Sequence, residues 1–212
     1  MHVILATHNK HKIVEISDVI NHPQVEIKSL LDYEVKLPPE TGTTFIANAR
    51  IKAQTVYDTL VKRATYDVRR MINDVWILAD DSGLCVDALN GEPGVYSSRY
   101  SGEPVDYKRN NKKLLKALEG LPLEKRGAHF ICSMVLITPD GKEIEIEGRV
   151  DGFIAEKESG REGFGYDPLF YIPQYKKTIA ELPLRIKNSL SHRGLASKKV
   201  LEILIEFLND NM

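Results

Sequence analysis

Two four-residue runs, Val3-Ile4-Leu5-Ala6 and Trp76-Ile77-Leu78-Ala79, are apolar without alternation, so both read as buried strands. The change of period just after the first run sets the fold class. From Asn9 the apolar period lengthens to that of a helix, with Ile13, Ile16, Val19 and Ile20 on one face. Asn21-His22-Pro23 stops that helix, because proline disfavours helix in the residue before it. Val25-Glu26-Ile27 is a second strand and Leu37 to Gly42 a loop. A second helical pattern runs from about Thr44 through Ala49, Ala53, Val56, Tyr57 and Leu60 towards Met71. The strand at Trp76 is expected to end abruptly at Asp80-Asp81-Ser82-Gly83.

Further on, Asn90 to Gly102 is rich in Gly, Pro, Ser and Tyr and reads as an ordered or mobile loop. Asp106 to Leu118 is an amphipathic helix. Phe130 to Thr138 and Glu143 to Val150 flank Pro139-Asp140-Gly141-Lys142 as a hairpin. In its second arm Ile144, Ile146 and Gly148 alternate with Glu143, Glu145 and Glu147, leaving one face wet. Ser191 to Leu208 closes the chain as a helix, with Leu201, Leu204 and Leu208 inward. Early alternation of strands and helices, then an antiparallel pair, predicts an α/β protein with a mixed sheet.

With 29 basic and 30 acidic residues in 212 the formal net charge is -1. No global field pulls the chain towards nucleic acid or an anionic membrane, so a small anion would need a local basic pocket. Cys85 and Cys132 are too few for a disulfide scaffold and read as thiols in a reducing compartment. No apolar stretch reaches the roughly 18 residues of a membrane span, and the first residues lack a signal-peptide pattern. A cytoplasmic location is expected.

Five segments carry candidate chemistry. Thr7-His8-Asn9-Lys10-His11-Lys12 lies at a strand-to-helix transition, where unpaired N–H groups and the helix dipole suit a phosphate. Thr7 and Asn9 add side-chain donors, and Lys12 can reach forward; an N-cap with solvated lysines reads equally well. Asp80-Asp81 sits where open α/β sheets bind ligands, and two adjacent carboxylates invite a cation, Mg²⁺ among them; alternatively they cap nearby amides. Glu40 lies in a Pro-flanked loop and is by itself an exposed acid. Gly163-Phe164-Gly165-Tyr166-Asp167-Pro168 lets backbone approach a ligand and offers two aromatic faces, or is a tight turn with Phe164 in the core. Ser191-His192-Arg193-Gly194, with Lys187 four residues before Ser191, is either a helix cap or a site for an anion or carbonyl.

Taken in order, ATHNKHKIVEI, TFIANARIKA, ADDSGLCVDALNGEPGVYSSRYSG, EGFGYDPLF and KNSLSHRG resemble the inosine/xanthosine triphosphate pyrophosphatase family, from Leu5 to about Leu201. The resemblance implies a single domain over 1–212, an elongated central mixed sheet flanked by helices, and two lobes with the active cleft between them. It implies a homodimer and Mg²⁺-dependent hydrolysis of ITP, dITP and XTP to the monophosphate and pyrophosphate. By position, Thr7 to Lys12 become the phosphate loop, and Glu40 and Asp81 the metal ligands. Asp81 also activates water, with Lys12 neutralising charge, and Ser82 contacts substrate. Phe164, Gly165, Tyr166, Asp167, Lys187, His192 and Arg193 form the nucleobase pocket, with Phe164 or Tyr166 stacking on the purine. Arg193 only donates, so it suits a 6-oxo group and meets the 6-amino group of adenine donor to donor. Ala47 stands where the family has an acid, and Arg185 and Ile186 stand where it tends to have one before Lys187, making the charge there more positive. Tyr57 to Val75 is longer than the family norm and is expected to extend a peripheral helix. Another phosphohydrolase or a nucleotide sensor using the same phosphate loop is the alternative.

Overall fold

The computed structural model describes residues 1–62 and 74–210. The chain divides into two compact units. The first holds Met1–Asp81, Cys132–Glu147 and Gly194–Met212, and the second holds Ser82–Ile131 and Gly148–Arg193. The helices are α1 (Lys10–Val19), α2 (Phe45–Tyr57), α3 (Tyr107–Ala117), α4 (Leu184–Leu190) and α5 (His192–Asp210). The strands are β1 (His2–Leu5), β2 (Glu26–Ser29), β3 (Val75–Val86), β4 (Gly127–Ile137), β5 (Glu143–Ile154), β6 (Phe170–Ile172) and β7 (Lys177–Thr178). They form one sheet in the order β2-β1-β3-β4-β5-β6-β7. It is mixed: β1 pairs in parallel with β2 and β3, whereas β5-β6 and β6-β7 are antiparallel.

In the first unit the unbroken apolar runs are explained by what each face meets. Val3, Leu5, Trp76 and Leu78 join a core completed by Ile16 of α1, its C-cap residue Ile20, and Ala196, Val200 and Leu204 of α5. The intervening Ile4, Ala6, Ile77 and Ala79 join a second core with Ala49, Ala53 and Val56 of α2. Successive strand side chains point to opposite faces, so a strand sandwiched between two helical layers has no wet side to give to polar residues. The second unit has its own core, in which Leu84, Val86, Phe130 and Ile154 pack with Leu114 of α3, its C-cap residue Leu118, and Tyr166, Leu169 and Phe170.

Asn9 caps α1, Thr44 caps α2 and Asp106 caps α3, each side chain accepting from first-turn backbone N–H groups. The hairpin turn closes with Thr138 N–H donating to Lys142 C=O at 3.0 Å. Glu143, Glu145 and Glu147 are exposed, while Ile146 and Gly148 are buried. Asn90 to Gly102 carries short 3₁₀ turns, pinned by Asn110, which accepts from Ser101 N–H and donates to the carbonyls of Ser97 and Ser98. Cys132 is buried and Cys85 partly so, and neither is in a disulfide. No described helix is long and apolar enough to cross a membrane.

One expectation changes. The strand at Trp76 does not stop at Asp80: β3 continues through Asp80-Asp81-Ser82-Gly83 to Val86. Polar residues sit inside a buried strand there because neighbouring elements supply partners for them. The segment after Tyr57 makes a π-helical turn at Asp58–Lys62, and the rest of the expected helical extension, residues 63–73, lies outside the described residues. The short strands β6 and β7 and the helix α4 have no counterpart in the periodicity of the sequence.

Candidate active site

In the first unit, β1 lies between β2 and β3. The link through α1 therefore leaves to one side of β1, and the link that carries α2 passes to the other. Connections that diverge in this way open a crevice beyond the carboxyl ends of the strands, the usual ligand position in open α/β sheets. The β1–β3 register ends at Leu5 opposite Leu78, with Ala6 N–H donating to Leu78 C=O at 2.8 Å. Asp80 and Asp81 come immediately after.

Strand alternation sends these two carboxylates to different faces. Asp80 shares the parity of Trp76 and Leu78 and meets α1, where Lys12 Nζ lies 2.9 Å from its Oδ2. Asp81 shares the parity of Ile77 and Ala79 and meets α2, where Asn48 Nδ2 donates to its Oδ2 at 3.0 Å. Lys52 Nζ lies 3.6 Å from Asp81 Oδ1. Both acids are buried, at 2% and 7% exposure. Two adjacent acids thus coexist because each has a lysine on its own face, and a shared cation is not needed to hold them.

The segment before α1 is a capped helix start. Thr7 Oγ1 accepts from Asn9 N–H at 3.1 Å, and Asn9 Oδ1 accepts from the N–H groups of His11 at 3.0 Å and Lys12 at 3.4 Å. The cap uses the oxygens of Thr7 and Asn9 as acceptors, while their side-chain donors are the Thr7 hydroxyl hydrogen and the Asn9 Nδ2 group. His8, Lys10 and His11 are exposed. Glu15, one turn after Lys12, is buried.

On the α2 face, Lys52 Nζ donates to Glu40 Oε1 at 2.7 Å, so Glu40 and Asp81 converge on one ammonium. Lys52 is held above its usual range although burial acts against it, because Asp81, Asp80 and Glu40 all favour the charged form. Asp81 is raised as well, first by desolvation and then by Glu40, against the opposing pull of Lys52, Lys12 and Asn48. Two carboxylates aimed at one positively charged point fit the donor set of Mg²⁺, which takes a few carboxylates and completes its shell with phosphate oxygens and water. Among the described residues no group of three or more His, Cys, Asp or Glu forms a fuller cage. Lys52 and Asn48 are absent from the sequence-derived site. Their signal was the presence of two polar residues, four apart, on the same helix as the inward Ala49, Ala53 and Val56, where a buried polar group needs a partner.

The second unit gathers the remaining candidates. Arg193 Nη2 donates to Ser82 Oγ at 2.6 Å. The guanidinium carbon of Arg193 lies 5.5 Å and Lys187 Nζ lies 5.4 Å from the centre of the partly buried Phe164 ring. Asp167 Oδ2 accepts from Lys187 Nζ at 2.6 Å and from Phe164 N–H at 2.9 Å, and Lys187 and Asp167 are both buried. Asp167 thus supplies the negative charge that the sequence lacks before Lys187; Arg185 there is exposed. A Cβ on Gly163, whose φ is +76°, would stand 2.1 Å from Asp167 Oδ2, so the turn requires glycine. Gly165 also has positive φ.

Tyr166 does not join the Phe164 face. It is 4% exposed in the core, and its hydroxyl donates to Ser97 C=O at 2.9 Å; burial pushes its phenol up. Its ring packs in the core, whereas Phe164 is half-buried with its ring 6.1 Å from that of Tyr107. His192 is also buried, its ring stacked on Phe130 at 4.6 Å between centroids and 10° between planes.

Residues 3–203 match the model of the Ham1 family. A dITP/XTP pyrophosphatase of Listeria monocytogenes is 44% identical over 205 residues, covering 96% of this chain and 95% of that protein. A protein of the same name from Bacillus cereus is 42% identical over 208 residues, covering 97% and 95%. Among solved structures, a HAM1 protein from Coxiella burnetii superposes with a TM-score of 0.82 at 34% identity, covering 97% of this chain and 99% of that one. A nucleoside-triphosphatase / dITP/XTP pyrophosphatase from Mycobacterium abscessus gives 0.69 at 40% identity, covering 96% and 98%.

Proposed function

The chain belongs to the Ham1 family, and from that premise we propose that it hydrolyses deaminated purine nucleoside triphosphates, ITP, dITP and XTP, to the monophosphate and pyrophosphate, with Mg²⁺ as cofactor. The observation that carries this reading is the cluster of Asp80, Asp81 and Glu40 with Lys12 and Lys52, just past the carboxyl end of β1. Three acids against two lysines suit a site that takes a dication together with a polyanion.

Phosphoryl transfer asks a protein mainly for positioning and charge neutralisation. Glu40 and Asp81 would hold Mg²⁺, which when bound supplies charge neutralisation for the phosphates and the leaving pyrophosphate. Lys12 and Lys52 offset further phosphate charge, and the start of α1, Thr7 to Lys12, receives the triphosphate. Asp81 orients water and accepts its proton, a role worth roughly 10² to 10⁴ in rate.

Base recognition is assigned to Phe164, Arg193 and the residues packed beside them. Phe164 stacks on the purine, worth roughly 1–3 kcal/mol without choosing among bases. Arg193, oriented by Ser82, donates to the 6-oxo group of hypoxanthine or xanthine. A 6-amino group in that place leaves a buried donor unpaired at about 1–3 kcal/mol, which disfavours ATP. Gly165, Asp167, Lys187 and His192 shape the pocket, and Asp167 does so by pairing with Lys187. A homodimer in the cytoplasm belongs to the same reading, and sedimentation of the purified protein tests the assembly. Pyrophosphate release from a panel of nucleoside triphosphates with Mg²⁺ tests the activity; orthophosphate as sole product, or no turnover of ITP, dITP or XTP, would refute it.

A further inference from the structure

Asn48 is wholly buried on α2, with both ends of its amide in use. Its Nδ2 donates to Asp81 Oδ2 at 3.0 Å, and its Oδ1 accepts from Gly42 N–H at 2.8 Å. Gly42 lies two residues after Glu40 in the loop that precedes α2. One rigid side chain therefore ties the strand carrying one acid to the loop carrying the other. The loop is fitted to this contact: a Cβ on Gly42 would stand 2.7 Å from Asn48 Oδ1 and 2.8 Å from Ala47 Cβ. Lys52, one turn further along the same helix, bridges the same two acids by charge, but a flexible ammonium fixes neither angle nor separation. An amide accepting at one end and donating at the other fixes both.

We infer that Asn48 is a positioning residue that sets the spacing and orientation of Glu40 and Asp81, so that the two carboxylates are preorganised for a divalent cation before substrate arrives. The role is distinct from that of the ligands: Asn48 touches neither the cation nor the nucleotide and acts through the two acids. A preorganised pair binds its ion without first ordering a loop, and precise placement of supporting groups commonly changes metal affinity or activity by about 10–100-fold. This inference rests on the reading of Glu40 and Asp81 as cation ligands.

Asn48→Ala removes both contacts, and Gly42→Ala leaves the amide in place while pushing its oxygen away from the loop. Both full-length variants are compared with the wild type in two measurements. The first is binding of Mn²⁺ alone, without nucleotide, monitored by electron paramagnetic resonance. The second is ITP turnover as a function of Mg²⁺ and of ITP. Each variant is expected to bind Mn²⁺ about 10-fold more weakly, to need correspondingly more Mg²⁺ for half-maximal turnover, and to lose kcat at least about 10-fold, with KM for ITP within about threefold of wild type. If Asn48→Ala does not fold, as judged by thermal melting, Gly42→Ala decides alone. A folded variant with wild-type Mn²⁺ binding, or with a raised KM at unchanged kcat, overturns the positioning role. Wild type that binds Mn²⁺ but turns over no nucleotide refutes the proposed function and leaves the role of Asn48 intact. Wild type that binds no Mn²⁺ refutes the ligand reading itself.

Discussion

Asp81 lies 7% exposed between Lys52 and Asn48, and its burial outweighs both partners in keeping its carboxyl above the ordinary aspartate range. Because the folded-state value is raised, the stability associated with this group is full below its unfolded value and lost as pH rises through the folded one. Above that folded value the native state carries the cost of an ionised buried acid. Asp81→Asn is expected to melt no lower than wild type at pH 7 while losing at least about two orders of magnitude in kcat. A normal turnover would remove Asp81 from the role of base. At the base end, Arg193→Ala is expected to reduce the preference for ITP over ATP by about 10-fold or more, and an unchanged ratio of kcat/KM values would separate Arg193 from base choice. The Lys187–Asp167 pair is a buried ion pair, and removing the lysine leaves the buried carboxylate without its cation, at a cost of about 3–5 kcal/mol. Lys187→Ala is accordingly expected to lower Tm markedly, whereas an unchanged Tm would mean that Asp167 finds another partner.

At the scale of elements, the helix starts separate structural from functional capping. Asp106 caps α3 by accepting from Arg109 N–H at 3.0 Å, and Asn9 caps α1 at the candidate phosphate loop. Loss of an N-cap costs about 1 kcal/mol, which is about 2–4 °C in Tm for a chain of this size. Asp106→Ala and Asn9→Ala should each melt lower by that amount, but only Asn9→Ala should also lose ITP turnover. Equal activities would make the α1 start an ordinary cap. The β1-α1-β2-α2-β3 order was legible because buried runs and 3.6-residue periods have separate sources in the residue pattern. The course of β3 beyond Ala79 was not, since Asp80-Asp81-Ser82-Gly83 reads locally as a strand stop. Tertiary contacts carry the strand through: Lys12, Asn48 and Lys52 arrive from helices remote in sequence. The strands β6 and β7, three and two residues long, are too short to show a period. Tyr166 could not be assigned from the motif alone, because the Ser97 carbonyl that holds its hydroxyl lies 69 positions away.

For the whole molecule, a net charge of -1 conceals a local arrangement in which three acids and two lysines meet at one end of the parallel strands. That arrangement, together with family membership, supports the proposal that this pyrophosphatase for deaminated purine triphosphates works with Mg²⁺. The most direct measurement is product analysis of purified protein with ITP, dITP, XTP, GTP and ATP, at rising Mg²⁺ and in excess chelator. The account predicts pyrophosphate and nucleoside monophosphate in equal amounts from the deaminated substrates, little product from ATP, and none in chelator. Orthophosphate as the main product, or turnover indifferent to Mg²⁺, would contradict it.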